Sequence, residues 1–430
     1  MSEPCAREPA RAGPLVDHLF RHQYGRMVAG LTRVFGSDCL DLVEDVVQEA
    51  LLRALRVWPF EGIPREPEAW LVQVARNLAL DALRHKKMTE RKQAQLDSWA
   101  DAAARAHAGE ALPAEVADDT LSMMFMCCHP SLAASARVAL TLKTLCGFGV
   151  DEIARALLAK EATVAQGLTR AKARLQREVV EFSVPPAHQL PARLDSVLDV
   201  LYLLFNAGYS AAKGENMVRE DLVREAMRLV ALLLSMPSTA LPKVHALASL
   251  LHFQAARLPA RTGATGEPLT LPQQDRARWD RAAIAAGFAH FERSLDGAEL
   301  TSYHVEAAIA SCHAAAPSYA DTDWRAILRR FDQLVQIADS PVVRLNRAVA
   351  VAKVQGVAQA LIELDALDDR LAGYYLLPAT RAQLLWASGE HLAAAKAFAA
   401  ALRCACSLPE RAFLQRRLAA CERGEAAPVF

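Results

Sequence analysis

Four basic side chains on one predicted helix give the clearest indication of chemistry in this sequence. The segment from Thr163 to Arg177 contains Arg170, Lys172 and Arg174 besides its last residue, and no acidic residue, so its local charge is +4. Lysine and arginine bind phosphates, and four phosphate contacts would give a log–log salt slope of about −3.6. This charge density indicates binding to a nucleic acid backbone, and a solvated basic helix is the alternative.

The elements that must position these cations are predicted to form a helix-turn-helix. A helix over Ser135–Leu145 ends at Gly147, in line with the role of glycine at helix C-termini. A short helix over Asp151–Leu157 follows, and after a turn at 158–160 a longer helix begins at Glu161. A short helix, a tight turn and a second helix are typical of DNA-binding proteins, which favours the nucleic acid interpretation.

A second set of polar residues lies on an amphipathic helix nearer the N-terminus. Asp41, Asp45, Gln48 and Glu49 are spaced at i, i+4, i+7 and i+8, so they share one face. On its own such a face is most simply a solvated surface. The loop predicted to start at Trp58 and the helix after it add aromatic and basic side chains, which stack on bases and bind phosphates.

Composition and periodicity predict an all-α fold. The chain is 53% hydrophobic, its formal net charge is zero, and its apolar residues recur at helical rather than alternating spacing. We find no signal peptide and no apolar run of about 20 residues, so we expect a cytoplasmic protein with no membrane partner. The cysteines lack CxxC spacing, and no acid–base or nucleophile constellation emerges, so we expect no metal, no cofactor and no enzymatic activity.

Breaks rich in proline and polar residues divide the chain. The predicted segments are a flexible N-terminus (1–14), a first helical unit (15–87), a linker (88–118), a second helical unit (119–182), a linker (183–192), a helical extension (193–340) and helical repeats (341–423). Arg347 recurs as Arg381 at an offset of 34, and Gly356 recurs as Gly389 at an offset of 33. This period is typical of tetratricopeptide repeats, with a generic helical bundle as the alternative.

The words EDVVQEALLRAL and AWLVQVARNLALDALR resemble region 2 of the extracytoplasmic-function (ECF) sigma factors, and residues 135–177 resemble region 4 of that family. The resemblance implies that the clamp helices of the largest polymerase subunit bind Asp41, Asp45, Gln48, Glu49 and Arg53. It implies that the −10 element contacts Trp58, Phe60, Arg65, Arg76, Asn77, Arg84, His85 and Lys86. It implies that bases of the −35 element face Glu161, Thr163, Val164 and Gln166, and that phosphates contact Arg170, Lys172 and Arg174.

The remaining sequence, including LDSVLDVLYLLFNAGYSA and SPVVRLNRAVAVAKVQG, resembles the ECF group with a large C-terminal extension of tetratricopeptide-like repeats. The resemblance implies as partners core RNA polymerase, including its flap region, and promoter DNA. We expect the extension to regulate activity through a protein partner or an intramolecular contact. Gly167 stands where relatives often have arginine, and Lys160 occupies an N-cap site that it cannot cap, so we expect weaker −35 binding.

Two other functions remain open at this stage. A transcriptional regulator with one helix-turn-helix and a helical sensor domain explains residues 135–177 and the extension, but not the first unit. A helical scaffold that binds peptides predicts no promoter-specific DNA binding. In the extension, one set of residues indicates either a polar pocket or helix caps, namely His304, His313, Tyr319, Asp321, Asp323 and Trp324.

Overall fold

The computed structural model describes residues 12–85, 114–157, 159–178, 180–209, 218–263, 267–404 and 406–430. These residues form helices and no β-strand, apart from an isolated bridge between Thr262 and Pro268, which confirms the all-α prediction. The chain divides into two units, Met1–Leu203 and Leu204–Phe430. Within the described ranges, no helix is long and apolar enough to cross a membrane.

Unit 1 places two groups of helices side by side. Its described helices are α1 (Ala12–Phe35), α2 (Leu40–Glu61), α3 (Pro67–His85), α4 (Ala114–Cys127), α5 (Ala134–Thr144), α6 (Val150–Ala156), α7 (Glu161–Arg177) and the first part of α8 (Leu190–Tyr209). Helix α1 packs against α2 and α4, while α5 and α6 pack against α7. The predicted helix-turn-helix is confirmed, with Gly147 at φ +68° ending the turn after α5.

Helix α2 forms because its apolar residues recur on one side. Leu40, Val47 and Leu51 are buried on this side, and the stripe continues to Trp58. The sequence predicted a loop from Trp58, but the helix continues to Glu61 and includes Pro59. Pro59 lacks the N–H group that would bond the carbonyl oxygen of Leu55, and the helix ends soon after it, at Gly62 with φ +85°.

The second linker also differs from its prediction. Pro191 was expected to stop a helix, but it lies in the first turn of α8, where the missing N–H group of proline has no helical partner to lose. The division between the units follows Leu203, later than the predicted linker at 183–192. Most of the predicted linker 88–118, and residues 1–11 of the predicted flexible N-terminus, lie outside the described residues.

Unit 2 is a succession of helices, most of which pack mainly on their neighbours in sequence, although Ser302–Ala315 packs mainly on the non-neighbouring helix Pro242–Ala255. After the last part of α8, its described helices are α9 (Glu220–Ser235), α10 (Pro242–Ala255), α11 (Arg281–Ser294), α12 (Ser302–Ala315), α13 (Trp324–Ile337), α14 (Pro341–Val354), α15 (Val357–Asp365), α16 (Leu376–Ala387), α17 (His391–Arg403) and α18 (Leu408–Glu422). Packing between sequence neighbours is typical of repeat proteins.

The repeat predicted from the sequence has a structural counterpart. Arg347 Nε lies 2.8 Å from an Asp332 carboxylate oxygen, and Arg381 Nη2 lies 3.1 Å from an Asp365 carboxylate oxygen. Each arginine therefore pairs with an aspartate on the helix directly before its own. Gly356 has φ +99° immediately before α15, so the glycine at this repeat position turns the chain between two helices.

Two of the six residues singled out in the extension cap helices. Asp323 Oδ1 accepts a hydrogen bond from the backbone N–H of Ala326 at 2.8 Å, at the start of α13. His304 Nδ1 accepts one from the backbone N–H of Thr301 at 3.1 Å, at the start of α12. The capping interpretation therefore describes these two residues.

The adjacent cysteines at the end of α4 face the core. Cys127 Sγ lies 2.9 Å from Thr144 Oγ1, and Cys128 Sγ lies 3.6 Å from Thr141 Oγ1. Burial raises the pKa of both thiols, that of Cys128 to about 12. At neutral pH the two side chains are therefore protonated and pack as small apolar groups.

Candidate nucleic-acid and polymerase interface

The exposed side of α7 presents polar and basic side chains in one row. Thr163, Gln166, Arg170 and Arg174 are exposed and follow one another at spacings of three or four, so they share a face, and Glu161 is exposed at the start of the helix. Arg174 Nε lies 2.9 Å from a Glu178 carboxylate oxygen. Surface pairs of this kind contribute about 0–1 kcal/mol, so Arg174 can exchange its partner for a phosphate.

The opposite side of α7 is apolar and holds the helix on the domain. Val164, Leu168, Ala171 and Leu175 are buried along this side. The side chain of Val164 is 5% exposed, so the prediction that it faces a base is wrong. The physical reason is its register, because Val164 lies one turn before Leu168 on the buried stripe.

Lys172 does not point to solvent with the other cations of α7. Its Nζ lies 2.6 Å from Asp41 Oδ1 and 2.9 Å from Glu44 Oε2, both on α2. Burial lowers the pKa of Lys172, but the two carboxylates outweigh this effect and the pKa is raised. Burial raises the pKa of Glu44, and Lys172 opposes that shift. The predicted phosphate contact of Lys172 therefore requires these ion pairs to break.

The outer side of α2 combines charges with exposed leucines. Asp45 and Arg53 are exposed, Gln48 is half-buried, and Arg53 Nε lies 3.4 Å from Glu49 Oε1. The same helix exposes Leu52 by 42% and Leu55 by 43%. Apolar area framed by polar groups is typical of protein interfaces, which supports the assignment of this surface to a protein partner. Sequence reasoning missed both leucines.

The end of α2 presents one aromatic side chain to solvent. Phe60 is 90% exposed, whereas Trp58 is 3% exposed and packs edge-to-face on Trp70 with ring centroids 5.5 Å apart. The prediction that Trp58 stacks on a base is therefore wrong, because the continuation of α2 turns this residue into the core. Phe60 supplies the exposed ring, and Arg65 is exposed in the loop that follows.

Helix α3 supplies the remaining side chains predicted for the −10 element. Asn77 is exposed and accepts a hydrogen bond from Gln73 Nε2 at 3.3 Å, while Arg76 is half-buried. The side chains of Arg84 and His85, and the whole of Lys86, lie outside the described residues. The described part of α3 thus exposes two amide side chains, Asn77 and its hydrogen-bond partner Gln73.

A groove of about 460 Å³ runs between α5 and the exposed row of α7. Its lining includes Leu132, Ala139, Thr163, Gly167 and Arg170. A Cβ atom added at Gly167 would meet no other atom within 4 Å. The groove is therefore open at Gly167, where the sequence has glycine in place of an expected arginine.

Gly167→Arg is expected to strengthen −35 duplex binding about eightfold at 0.1 M salt, because it adds one phosphate contact with a slope of about −0.9. Gly167→Ala is the matched control, since it supplies the same gain in helix propensity of up to about 1 kcal/mol without the charge. Binding of fluorescent promoter DNA to the polymerase complex across a salt series measures both. Equal effects of the two variants would show that Gly167 faces away from phosphates.

Glu44 on α2 is a further residue that sequence reasoning missed. Leu40, Glu44, Val47 and Leu51 fall on one side of α2, and Glu44 is only 5% exposed. A carboxylate on a buried stripe needs a cation as partner. Lys172 lies one turn after Leu168 and next to the buried side of α7, so helical periodicity contained the signal for both residues.

Three family models match the chain. Residues 20–89 match Sigma-70 region 2, residues 122–175 match Sigma-70 region 4, and residues 193–295 match a family of unknown function, DUF6596. The uncharacterized protein R00370 of Rhizobium meliloti (strain 1021) is 38% identical over 380 residues, which cover 88% of this chain and 90% of that protein. No solved structure is significantly similar to the chain. The chain thus belongs to the same family as R00370, and its regions 2 and 4 make it a sigma factor of the sigma-70 family, with a C-terminal DUF6596 domain.

Proposed function

We propose that the protein is an ECF-type sigma factor that directs core RNA polymerase to promoters with −35 and −10 elements and helps to separate the strands. The observation that supports this proposal is that unit 1 exposes two chemically different surfaces, a polar and basic row on α7 and an aromatic ring at the end of α2. The row on α7 suits a duplex, whereas Phe60, at 90% exposure, suits an unstacked base. A regulator that only reads duplex DNA needs the first surface alone.

The two surfaces divide the work between binding and opening. At the −35 element, Glu161, Thr163 and Gln166 face the bases while Arg170 and Arg174 bind phosphates. At the −10 element, turning a base out of the stack costs a few kcal/mol, and stacking on an aromatic ring offsets about 1–3 kcal/mol of it. The side chains proposed there are Phe60, Arg65, Arg76, Asn77, Arg84, His85 and Lys86.

Polymerase is the proposed protein partner of both regions. The clamp helices of its largest subunit bind α2 through Asp41, Asp45, Gln48, Glu49 and Arg53, with Leu52 and Leu55 adding apolar area. The flap region binds region 4. Unit 2 regulates this activity, either through a partner protein or through an intramolecular contact, and the complex acts in the cytoplasm.

Run-off transcription with core polymerase as the only other protein tests the proposal. Start sites mapped after overexpression supply the template, and the same template with its −35 element scrambled is the control. A sigma factor yields one defined transcript from the first template and far less from the second. If no transcript forms unless another sigma factor is added, the protein is a regulator and the proposal is wrong.

A further inference from the structure

The last residues of unit 2 lie as an irregular segment against its helices. After α18 the chain turns at Gly424, which has φ +73°, and residues 425–430 have no helical structure. The segment is held by side chains from α16, from α14 and from the turn before α13. We call the surface formed by Tyr319, Lys353, Gln383 and Trp386 the tail groove.

The tail groove holds the segment mainly by its backbone. Trp386 Nε1–H donates to the carbonyl oxygen of Glu425 at 2.8 Å, and Gln383 Nε2–H donates to that of Pro428 at 3.2 Å. Tyr319 Oη–H donates to the main-chain oxygen of Phe430. Donors that point at carbonyl oxygens can bind an extended chain of any sequence, because every residue has a carbonyl oxygen.

One side chain of the segment is held specifically. The Nζ atom of Lys353 lies 3.9 Å from the ring centroid of Phe430, and it also faces the rings of Tyr319 at 5.3 Å and Trp324 at 5.8 Å. The ring of Phe430 also packs on the apolar cluster that contains Leu345. A cation over an aromatic face selects an aromatic residue at this position.

Arg417 orients one of the hydrogen-bond donors of the groove. Arg417 Nη1 donates to Gln383 Oε1 at 3.5 Å, which turns the Gln383 amide N–H groups toward Pro428. Arg417 is itself held over the Phe413 ring at 4.9 Å. Val429, by contrast, is 65% exposed, so its side chain is not recognised. The segment thus contributes the Phe430 ring and the small side chain of Ala427 to the packing, while Val429 stays outside it.

We propose that the tail groove is a binding site for an extended segment of a partner protein that carries an aromatic residue after small or apolar ones. Residues 425–430 occupy it as an internal competitor. A tethered segment has an effective concentration of about millimolar, so a partner must bind more tightly than the segment and displaces it when it does. Release of the segment is then the structural change in unit 2 that follows partner binding.

A labelled peptide of residues 425–430 tests the proposal on the full chain by fluorescence anisotropy. The unchanged protein should bind the peptide weakly, because its own segment fills the groove. Phe430→Asp should release that segment and tighten peptide binding about tenfold or more. Val429→Asp is the matched control, since it places the same charge on the exposed neighbour and should leave binding weak.

A second change in the released protein locates the peptide. Trp386→Phe keeps an aromatic ring but removes the N–H group that donates to Glu425. In the Phe430→Asp protein this second change should weaken peptide binding severalfold. Should Phe430→Asp unfold by circular dichroism, Phe430→Ala serves for the same comparison. A folded Phe430 variant that does not bind the peptide, or one that binds no better than Val429→Asp, overturns the proposal and leaves the segment a structural cap. The measurement needs no polymerase or promoter, so its outcome is separate from that of the sigma activity.

Discussion

Replacing Arg170 and Arg174 together by alanine is expected to weaken promoter binding by the polymerase complex roughly 60-fold at 0.1 M salt. Each phosphate contact contributes a slope of about −0.9 to the dependence of log affinity on log salt, so the loss of two makes the slope shallower by about 1.8. Both side chains are exposed on one face of α7, and Ala171 and Leu175 on the other face keep the helix in place. The fold should therefore be unchanged.

A double variant of equal charge separates this local effect from a change in net charge. Arg330 and Arg403 are exposed on helices of unit 2, and their replacement by alanine removes two charges far from α7 in the sequence. Titrations of labelled promoter between low and moderate salt should give this variant the slope of the unchanged protein. If both double variants lose affinity alike, the row on α7 does not bind phosphates.

The position of α7 could be predicted from the sequence. Which of its side chains are exposed and which are buried or paired could be predicted only in part. Its bounds and its helix-turn-helix setting follow from local signals, namely Gly147 and the register of Leu168 and Leu175. The sequence also identified its charge. It assigned Val164 to DNA and Lys172 to a phosphate, because a list of cations does not show which of them lies next to the buried stripe. That distinction depends on contact with α2, which is distant in sequence.

The extension shows the same limit on a larger scale. The offset between Arg347 and Arg381 predicted repeats, because equivalent positions in a repeat carry the same contacts. The segment after α18 could not be predicted, because its placement depends on donors from Tyr319 and Trp386, which precede it by many residues. The loop predicted at Trp58 failed for a local reason, since a proline in a last helical turn does not end the helix.

We expect Lys172 to link the closed arrangement of unit 1 to promoter binding, because it pairs with Asp41 and Glu44 of α2. Promoter −35 and −10 elements whose centres are about 25 base pairs apart lie about 85 Å apart along B-form DNA. A folded unit of about 200 residues has a radius of gyration of about 17 Å, so regions 2 and 4 cannot reach both elements while they are packed together. Gln176 Nε2 donates to the carbonyl oxygen of Asp38 at 3.1 Å, and a Cβ atom on Gly25 would lie 2.1 Å from the oxygen of Leu145, which shows how closely they pack.

Asp41→Asn with Glu44→Gln is therefore expected to strengthen −35 duplex binding by the free protein about eightfold or more at 0.1 M salt. The change leaves Lys172 without its two carboxylates, so α7 can offer four cations to phosphates in place of three. The salt slope should steepen from about −2.7 to about −3.6. Truncating a partly buried ion pair is also destabilising, which weakens the contact between α2 and α7 and favours their separation.

The matched control removes two charges from the same helix without touching the pair. Asp45→Asn with Glu49→Gln changes α2 on its outer side, where Glu49 pairs with Arg53 rather than with α7. This control should keep the shallow slope, and any general gain from a less acidic surface should appear in both proteins. If the two double variants bind the duplex with one slope, Lys172 is already free in solution and the ion pairs with Asp41 and Glu44 do not restrain region 4. A steeper slope in the first variant alone shows that α2 withholds one cation of α7 from DNA. We then expect polymerase, if it binds the same helix as proposed, to make the fourth phosphate contact available.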